Sequence, residues 1–521
     1  MLLAVPYLSS CSLFDKRQIK LAFIGSDPKV GHLIRQNKFP EPITSKKINT
    51  LIVGSGIGGL SAARHLLKNN KTDFLILELD SVIGGNSKAG KNNVSEFPMG
   101  AHYLPIPTVN FKELIDFLVE SKIITGFNSD GLPIYNEYYL CFEPQERIYF
   151  KGIWQDGIPP DNGLNEIEKE ELLRFLKITE EFKNAIGTDN KPAFTIPLEL
   201  SSNDEKYLQL DKISIFDYLK QNNFKSNFIL WYLDYCCKDD FGTNIKNTSA
   251  WAVFHYFSSR NGKAANAANH ELLTWPEGNN FLVKKLSAEL NDKIKTQHIV
   301  YKVKKIENKT KCYVYDLVKN ESIEYECENL ILATPQFVNK NIFDFKTNLN
   351  FDDFNYYPWI VASITINNKL ELNGSQELSW DNVIYGSKSL GYVNACHQNF
   401  NSDDKRTVIT YYYNFSEESS KIERNKIREK DENYWKSFII EDLKNAHLKI
   451  ENLIEEIQIV VWGHGMISPK VGFRSSKSRQ ILENGFDNIY FANSDVSGIS
   501  IFEQAFYRGI CAAKSVLNNT K

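Results

Sequence analysis

The sequence predicts an α/β fold in which a mostly parallel sheet is assembled from separated segments, with α+β material inserted between them. Three observations carry this expectation. A continuous apolar run, Ile48 to Val53, leads through a glycine-rich turn into helically spaced residues and then into a second apolar run, Phe74 to Asp80. A further run, Asn329 to Pro335, ends in small residues and proline, and another from Asn488 leads into a long helix with small residues on one face. Runs that are apolar throughout, instead of at alternate positions, suit strands buried on both faces by helices. At 521 residues the chain has room for two or three domains, or for one cofactor enzyme with interleaved domains.

Taken in order, the chain opens on MLLAVPYLSSC, an apolar segment ending in Leu8, Ser9, Ser10 and Cys11. It resembles a bacterial lipobox, whose cysteine is lipidated, although the basic residues that begin a secretory signal are missing. This predicts a bacterial envelope protein anchored by lipid at Cys11, with a cytoplasmic location as the alternative. Ser12 to Lys47, with Pro40 and Pro42 and few periodic apolar positions, reads as leader and linker. The strand Ile48–Val53, the glycine turn, the helix Leu60–Leu67 and the strand Phe74–Asp80 follow within about thirty residues, the setting in which a glycine fingerprint is credible.

From about Phe111 to Arg260, helical patterns such as NEIEKEELLRFLKITEEF alternate with aromatic segments and no nucleotide motif, so this part reads as a substrate or cap region. Thr274 to Leu290 reads as a loop entering an amphipathic helix. HIVYKVKKIEN and KCYVYDLVKNESIEYE read as a meander turning at Lys319 and Asn320. A second aromatic-rich stretch runs to about Ile457.

Charge and cysteines exclude several functions. The 61 basic and 64 acidic residues nearly cancel, so no field draws the chain to nucleic acid or to an anionic membrane. Apart from the ten-residue start, nothing approaches the roughly 20 apolar residues that span a bilayer. Eight cysteines without a CxxC pair show neither zinc spacing nor, once Cys11 is set aside, an even count for a disulfide framework. No metal is expected, and the vicinal Cys236 and Cys237 read as buried structural thiols, with a redox pair as the alternative.

The glycine turn carries the first chemistry. Gly54 permits the tight turn, Gly56 lets backbone approach a pyrophosphate, Gly58 belongs to the same cradle, and Gly59 allows close packing of helix on strand. The helix N-terminus beyond it offers free N–H groups and a positive dipole end. Glu78, nineteen residues past Gly59, is placed to accept from both ribose hydroxyls, and a carboxylate there repels the 2′-phosphate of NADP. The motif therefore selects NAD or FAD.

The pair Gly84 and Gly85 in SVIGGNSKAG decides between them, because Gly-Gly after the second strand is foreign to the NAD dehydrogenase pattern. The chain resembles the FAD family that includes the flavin-containing amine oxidases, protoporphyrinogen oxidase and the phytoene desaturases. The stretches that carry this resemblance are Ile48 to Gly85, WPEGNNFLVKKL, the strand holding Val303, LILATP and YFANSDVSGISIFEQAFYRGICAA. The resemblance implies a Rossmann-like FAD-binding domain built from residues 48–110, 265–345 and 458–521. An α+β substrate domain (111–264 and 346–457) is then inserted, and 1–47 is leader.

It also implies site residues. Val303 lies in the strand passing the adenine. Lys88 is a candidate second pyrophosphate contact, since Asn86, Ser87 and Lys88 stand where the family usually has arginine. Asp495, Gly498 and Glu503 contact the ribityl, the pyrophosphate or the flavin surroundings, although the family's Ala-Gly-acid is here Ala492, Asn493, Ser494 and Asp495. Gly100 and Ala101 let the isoalloxazine approach. His102 and Tyr103 then stand beside it, His102 as a proton relay. Trp462 and His464 of WGHG are pocket residues, and His255, Tyr256 and Arg260 are weaker candidates.

The function implied is amine oxidase-like: hydride leaves a C–N or C–C bond of a small or apolar substrate for FAD, which oxygen or a quinone then reoxidises. A FAD-binding isomerase or mutase, or a non-catalytic flavoprotein, is the alternative. A plain NAD enzyme leaves Gly84, Gly85 and the C-terminal stretch without a role.

Overall fold

The computed structural model describes residues 18–268, 271–399 and 405–519. Cys11, the expected lipid anchor, lies outside them. The fold is the expected mixture of parallel and antiparallel sheets with helices.

Thr44–Val53 is flanked in parallel by Phe74–Leu77 and by Glu321–Leu332. Ile489–Phe491 joins the end of Glu321–Leu332, also in parallel, through Leu330 opposite Ile489. The antiparallel meander Lys309–Asp316 and His298–Ile306 completes one side of this seven-stranded sheet. The meander turns where expected, with Asn320 in the left-handed region at φ 57°. Leu51, Ile52, Leu330 and Ile331 are wholly buried, as a strand covered on both faces requires.

The helices Ile57–Lys68 and Phe502–Asn519 cross against each other on one face of the sheet. They meet at backbone distance: Ser61 Oγ donates to the carbonyls of Gly58 and of Phe506, both at 3.1 Å. A Cβ on Gly509 would sit 2.2 Å from the carbonyl oxygen of Gly58. Small residues on the final helix are thus a packing requirement.

The second sheet has eight strands, with Ile454–Trp462, Trp359–Ile366 and Thr407–Asn414 at its heart. The last two are buried at every position, so each sandwiches aromatic and β-branched side chains on both sides. Helices cover it, among them Glu166–Lys183, whose Asn165 and Glu168 form a reciprocal capping box at its start.

The leader-and-linker reading of residues 12–47 fails for the described part. Lys20–Phe23 is a strand lying parallel to Ile454–Trp462 at the edge of the second sheet, and Pro28–Gln36 is a helix capped by Asp27. The first strand of the nucleotide sheet starts at Thr44, four residues before its apolar run, because its exposed half pairs with Ile323–Cys327. Four residues of strand and nine of helix, mostly exposed, leave too weak a periodic signal to be read. No described helix is long and apolar enough to cross a membrane. Cys236 and Cys237 are buried free thiols, both pushed up by burial, as an inert structural pair would be.

Candidate cofactor and substrate site

A cavity of about 840 Å³ runs between the two sheets. Its floor is the glycine turn. Gly54 holds φ +99° and donates from its N–H to Leu77 O at 2.8 Å, closing the strand-to-helix turn. Gly56 caps the helix Ile57–Lys68 without a side chain, so the first N–H groups face the cavity unobstructed. Across from it, Gly84 and Gly85 hold φ +115° and +57°, conformations that glycine tolerates best. Gly58 and Gly59 serve packing: a Cβ would lie 1.7 Å from Ala492 O in the first case and 2.0 Å from Gly54 O in the second.

Glu78 lines the cavity at the end of its strand. One carboxylate oxygen accepts from Ser55 N at 2.8 Å and Ser55 Oγ at 2.5 Å, and the other accepts from Asp80 N at 2.9 Å. It is therefore held rigidly at the wall of the cavity. Lys88 also faces the cavity, but it is buried and ion-paired with Asp80, which Ser26 hydrogen-bonds as well.

Val303 does not reach this cavity. The chain leaving the helix Gln336–Ile342 runs alongside it, with Asp344 N donating to Val303 O at 2.9 Å, so Val303 is core. Val300 and His298 of the same strand line the cavity instead. Gly498 is likewise no lining residue: at φ +77° it is packed under Phe473, where a Cβ would come within 2.4 Å. Asp495 does line the cavity, buried, accepting from Gln336 N at 2.8 Å and from Tyr356 OH; burial pushes its carboxyl up to about 6. His464 stacks on Phe337 at 4.1 Å and is pushed down to about 3, by burial first and then by Arg424.

This cradle fits a dinucleotide. Backbone N–H groups and close-approach glycines meet midway, a rigid carboxylate stands at one end, and at the other the cavity opens into a second one of about 140 Å³. Ala101, Trp462, Ile501 and Phe502 line both, so the start of the last helix stands at the junction. Gly100 is locked, its position leaving no room for a Cβ beside Asn86 O at 2.4 Å.

The second cavity is small, aromatic and acidic. Tyr103, Trp359, Tyr412 and Trp462 form its walls; Trp359 and Trp462 are register partners on neighbouring strands. Trp462 is fixed by donating from Nε1 to Met99 O at 2.7 Å, and Tyr412 by donating to Gly100 O at 3.0 Å. His102 lies among these rings, 4.8 Å from Tyr412, and burial drives it down to about 4, so it is neutral near pH 7.

Three carboxylates, Asp239, Asp240 and Glu503, and one cation, Arg260, complete the lining. Arg260 is engaged with Asp240 at 2.8 Å and reaches Tyr103 OH at 3.4 Å. Among the described residues, Asp239 and Glu503 have no ion pair. Burial pushes both up to about 7, helped for Asp239 by neighbouring Asp240 and opposed for Glu503 by Arg260. His255 is elsewhere, bonded to Thr195 O at 2.9 Å.

The structure thus gathers His102, Tyr103 and Glu503 at one cavity and Gly54, Gly56, Gly58, Glu78, Gly84, Gly85, Lys88, His464 and Asp495 at the other, with Ala101 and Trp462 shared. Sequence reading missed Trp359, Tyr412, Asp239 and Asp240. Asp239 and Asp240 follow the paired cysteines closely in sequence with no motif of their own, and nothing local marks the two strand aromatics.

Comparison with known proteins agrees with this geometry. Residues 57–517 match the family described as flavin containing amine oxidoreductase. A double mutant of putrescine oxidase superposes with a TM-score of 0.68 over 91% of this chain and 100% of its own, at 16% identity. Cyclohexylamine oxidase from Brevibacterium oxydans gives 0.65 over 91% and 99%, at 13% identity. A fatty acid isomerase from P. acnes that produces CLA gives 0.62 over 90% and 98%, at 14%. Oxidoreductase PigB of a Serratia species is 36% identical over 74 residues, which are 14% of this chain and only 11% of that protein.

Proposed function

The chain belongs to the flavin-containing amine oxidoreductases and is a FAD-dependent oxidoreductase; from that premise we propose that its substrate is a small amine whose ammonium group is received by Asp239 and Glu503. The observation that carries this reading is the imbalance in the second cavity, three carboxylates against one arginine that is already paired. A buried carboxylate without a cation is costly, and an alkylammonium relieves that cost. Trp359, Trp462 and Tyr412 add aromatic faces that attract a cation and exclude water from it. The putrescine and cyclohexylamine oxidases share this fold and act on amines by name.

Bound FAD supplies the two-electron acceptor for the carbon next to nitrogen. The chain's own residues prepare that carbon. An ammonium has to lose its proton before the nitrogen lone pair can assist hydride departure. Asp239 and Glu503, each near 7, are matched to accept a proton around neutral pH, which ordinary carboxylates are not. His102 stays neutral and offers no competing positive charge. Gly54, Gly56, Glu78, Gly84, Gly85, Asp495 and Val300 would hold the cofactor, and Ala101, Trp462 and Ile501 would flank its ring at the junction.

The test is anaerobic mixing of purified holoprotein with primary amines and diamines. Bleaching of the flavin spectrum by amines, but not by their N-acetylated counterparts, is the expected result, with colour restored by oxygen or a quinone. If amines leave the flavin oxidised while an unsaturated fatty acid is turned over without bleaching, the amine reading is wrong and a non-oxidative isomerisation takes its place.

A further inference from the structure

We infer that the segment preceding the nucleotide strand, the strand Lys20–Phe23 with the helix Pro28–Gln36, is a strap over the FAD site, and that its Arg35, together with Arg424 of the helix Ser420–Arg428, neutralises the cofactor's pyrophosphate. The inference rests on FAD as the cofactor and adds residues to its site.

Among the described residues, the floor of the cavity holds no free cation. The glycine turn offers N–H dipoles only, and Lys88 is neutralised by Asp80. A pyrophosphate laid on that floor brings two negative charges that the floor does not match. The facing wall does. His32 and Arg35 line the cavity from one helix, and Arg424 and Arg428 line it from another. Among the described residues, Arg35 and Arg428 make no hydrogen bond or ion pair. The side chain of Arg424 donates from Nη1 to the neutral carbonyl of Tyr356, at 2.7 Å, and makes no ion pair among the described residues.

These cations repel one another. Arg424 is held down by burial and then by Arg35; His32 is held down by burial and then by Arg35 and Arg428. Asp27 offsets this in part at His32, but among the described residues no carboxylate pairs with Arg35, Arg424 or Arg428, and like charges so gathered suit an anionic occupant.

The strap is built to stay in place. Lys20–Phe23 pairs with Glu456–Ile459, Ile24 N donates to Ile459 O at 2.8 Å, and Ser26 reaches over to Asp80 and Lys88. The strap's own residues, 20–36, lie before the stretch 57–517 that the family match covers. It spans both sheets, joined to the edge of one while lying against the nucleotide end of the other.

The experiment follows flavin release from intact holoprotein by the rise in free-flavin fluorescence, at low and at high salt. Arg35→Ala and Arg424→Ala are each expected to speed release about 10-fold at low salt, the loss of one charge-assisted contact. The gap should narrow at high salt, and Arg35→Lys should hold FAD nearly as well as the wild type. Arg35 is exposed, so its variants fold whatever becomes of the Arg424 protein. Release from the Arg35→Ala protein at the wild-type rate, or faster to the same degree at both salts, overturns the pairing with pyrophosphate. Wild-type protein purified without flavin, and unable to take it up, would instead overturn the cofactor reading on which the strap depends.

Discussion

Replacing Gly58 by alanine is expected to lower the melting temperature sharply and to yield protein without flavin. The added Cβ would lie 1.7 Å from the carbonyl oxygen of Ala492 and 2.8 Å from its carbon, both backbone atoms at the end of a buried strand. Overpacking usually costs about 1 to 3 kcal/mol, and the upper end or beyond applies where no side chain can swing aside. Gly56→Ala is the instructive contrast. Its Cβ meets nothing nearer than Gly85 Cα at 4.0 Å, so the variant should melt like wild-type apoprotein. It should nevertheless lose flavin, because the methyl group enters the space through which backbone approaches the phosphates. Thermal melts and flavin-to-protein absorbance ratios separate the two; identical behaviour would show that the glycines do not divide packing from cofactor approach in this way.

Asp239→Asn is expected to stabilise the flavin-free protein at alkaline pH while crippling amine oxidation. The folded carboxyl sits at about 7 against an ordinary value near 3.9 in an unfolded chain. Between those values the folded state keeps a proton that the unfolded state has released, so Asp239 makes stability fall as pH rises from about 4 to about 7. Asparagine removes that dependence. The gain should be absent near pH 4 and reach roughly 2 to 4 kcal/mol above pH 7, the larger figure being the full shift at 1.36 kcal/mol per unit. Against amines, kcat/KM should drop about 30-fold or more, as expected when one partner of a buried charge pair is removed, and its rise through neutral pH should become shallower, with Glu503 alone left to titrate there. A variant that melts lower than wild type at about pH 8, or that keeps the wild-type pH profile, would remove Asp239 from the substrate's charge pair.

The nucleotide half of the site was legible in the sequence because its parts are local. Gly54, Gly56, Glu78, Gly84 and Gly85 fall within about thirty residues, and the bonds that fix them, such as Ser55 N to Glu78, stay inside that stretch. The substrate half is assembled from afar. Trp359 faces Trp462 across a strand pair, and Arg260 meets Tyr103 over 157 positions, contacts that only tertiary folding creates. Glu503 was readable because it sits at the start of a helix whose glycine loop resembled a known one, while its company of Asp239 and Asp240 was not. From the strand His298–Ile306, His298 and Val300 line the cavity while Val303 does not, because periodicity says which face a side chain takes and not where a neighbouring segment covers the strand. Gly498 holds φ +77° under Phe473, and a left-handed turn glycine and a close-approach glycine look alike in sequence.

The bond from Ser61 to Phe506 joins residues 445 apart, and this has a bearing on biosynthesis. A ribosome adding about 5 to 20 residues per second needs tens of seconds to travel that distance. Until it does, the first turn of the cradle has no final helix to lean on, and the strand Ile489–Phe491 is missing from the sheet. The nascent chain therefore carries the helix Ile57–Lys68 without its packing partner for most of its synthesis. Flavin capture becomes one of the last events in maturation, and a chain terminated short of the last helix should reach the cell's proteases instead of the cofactor.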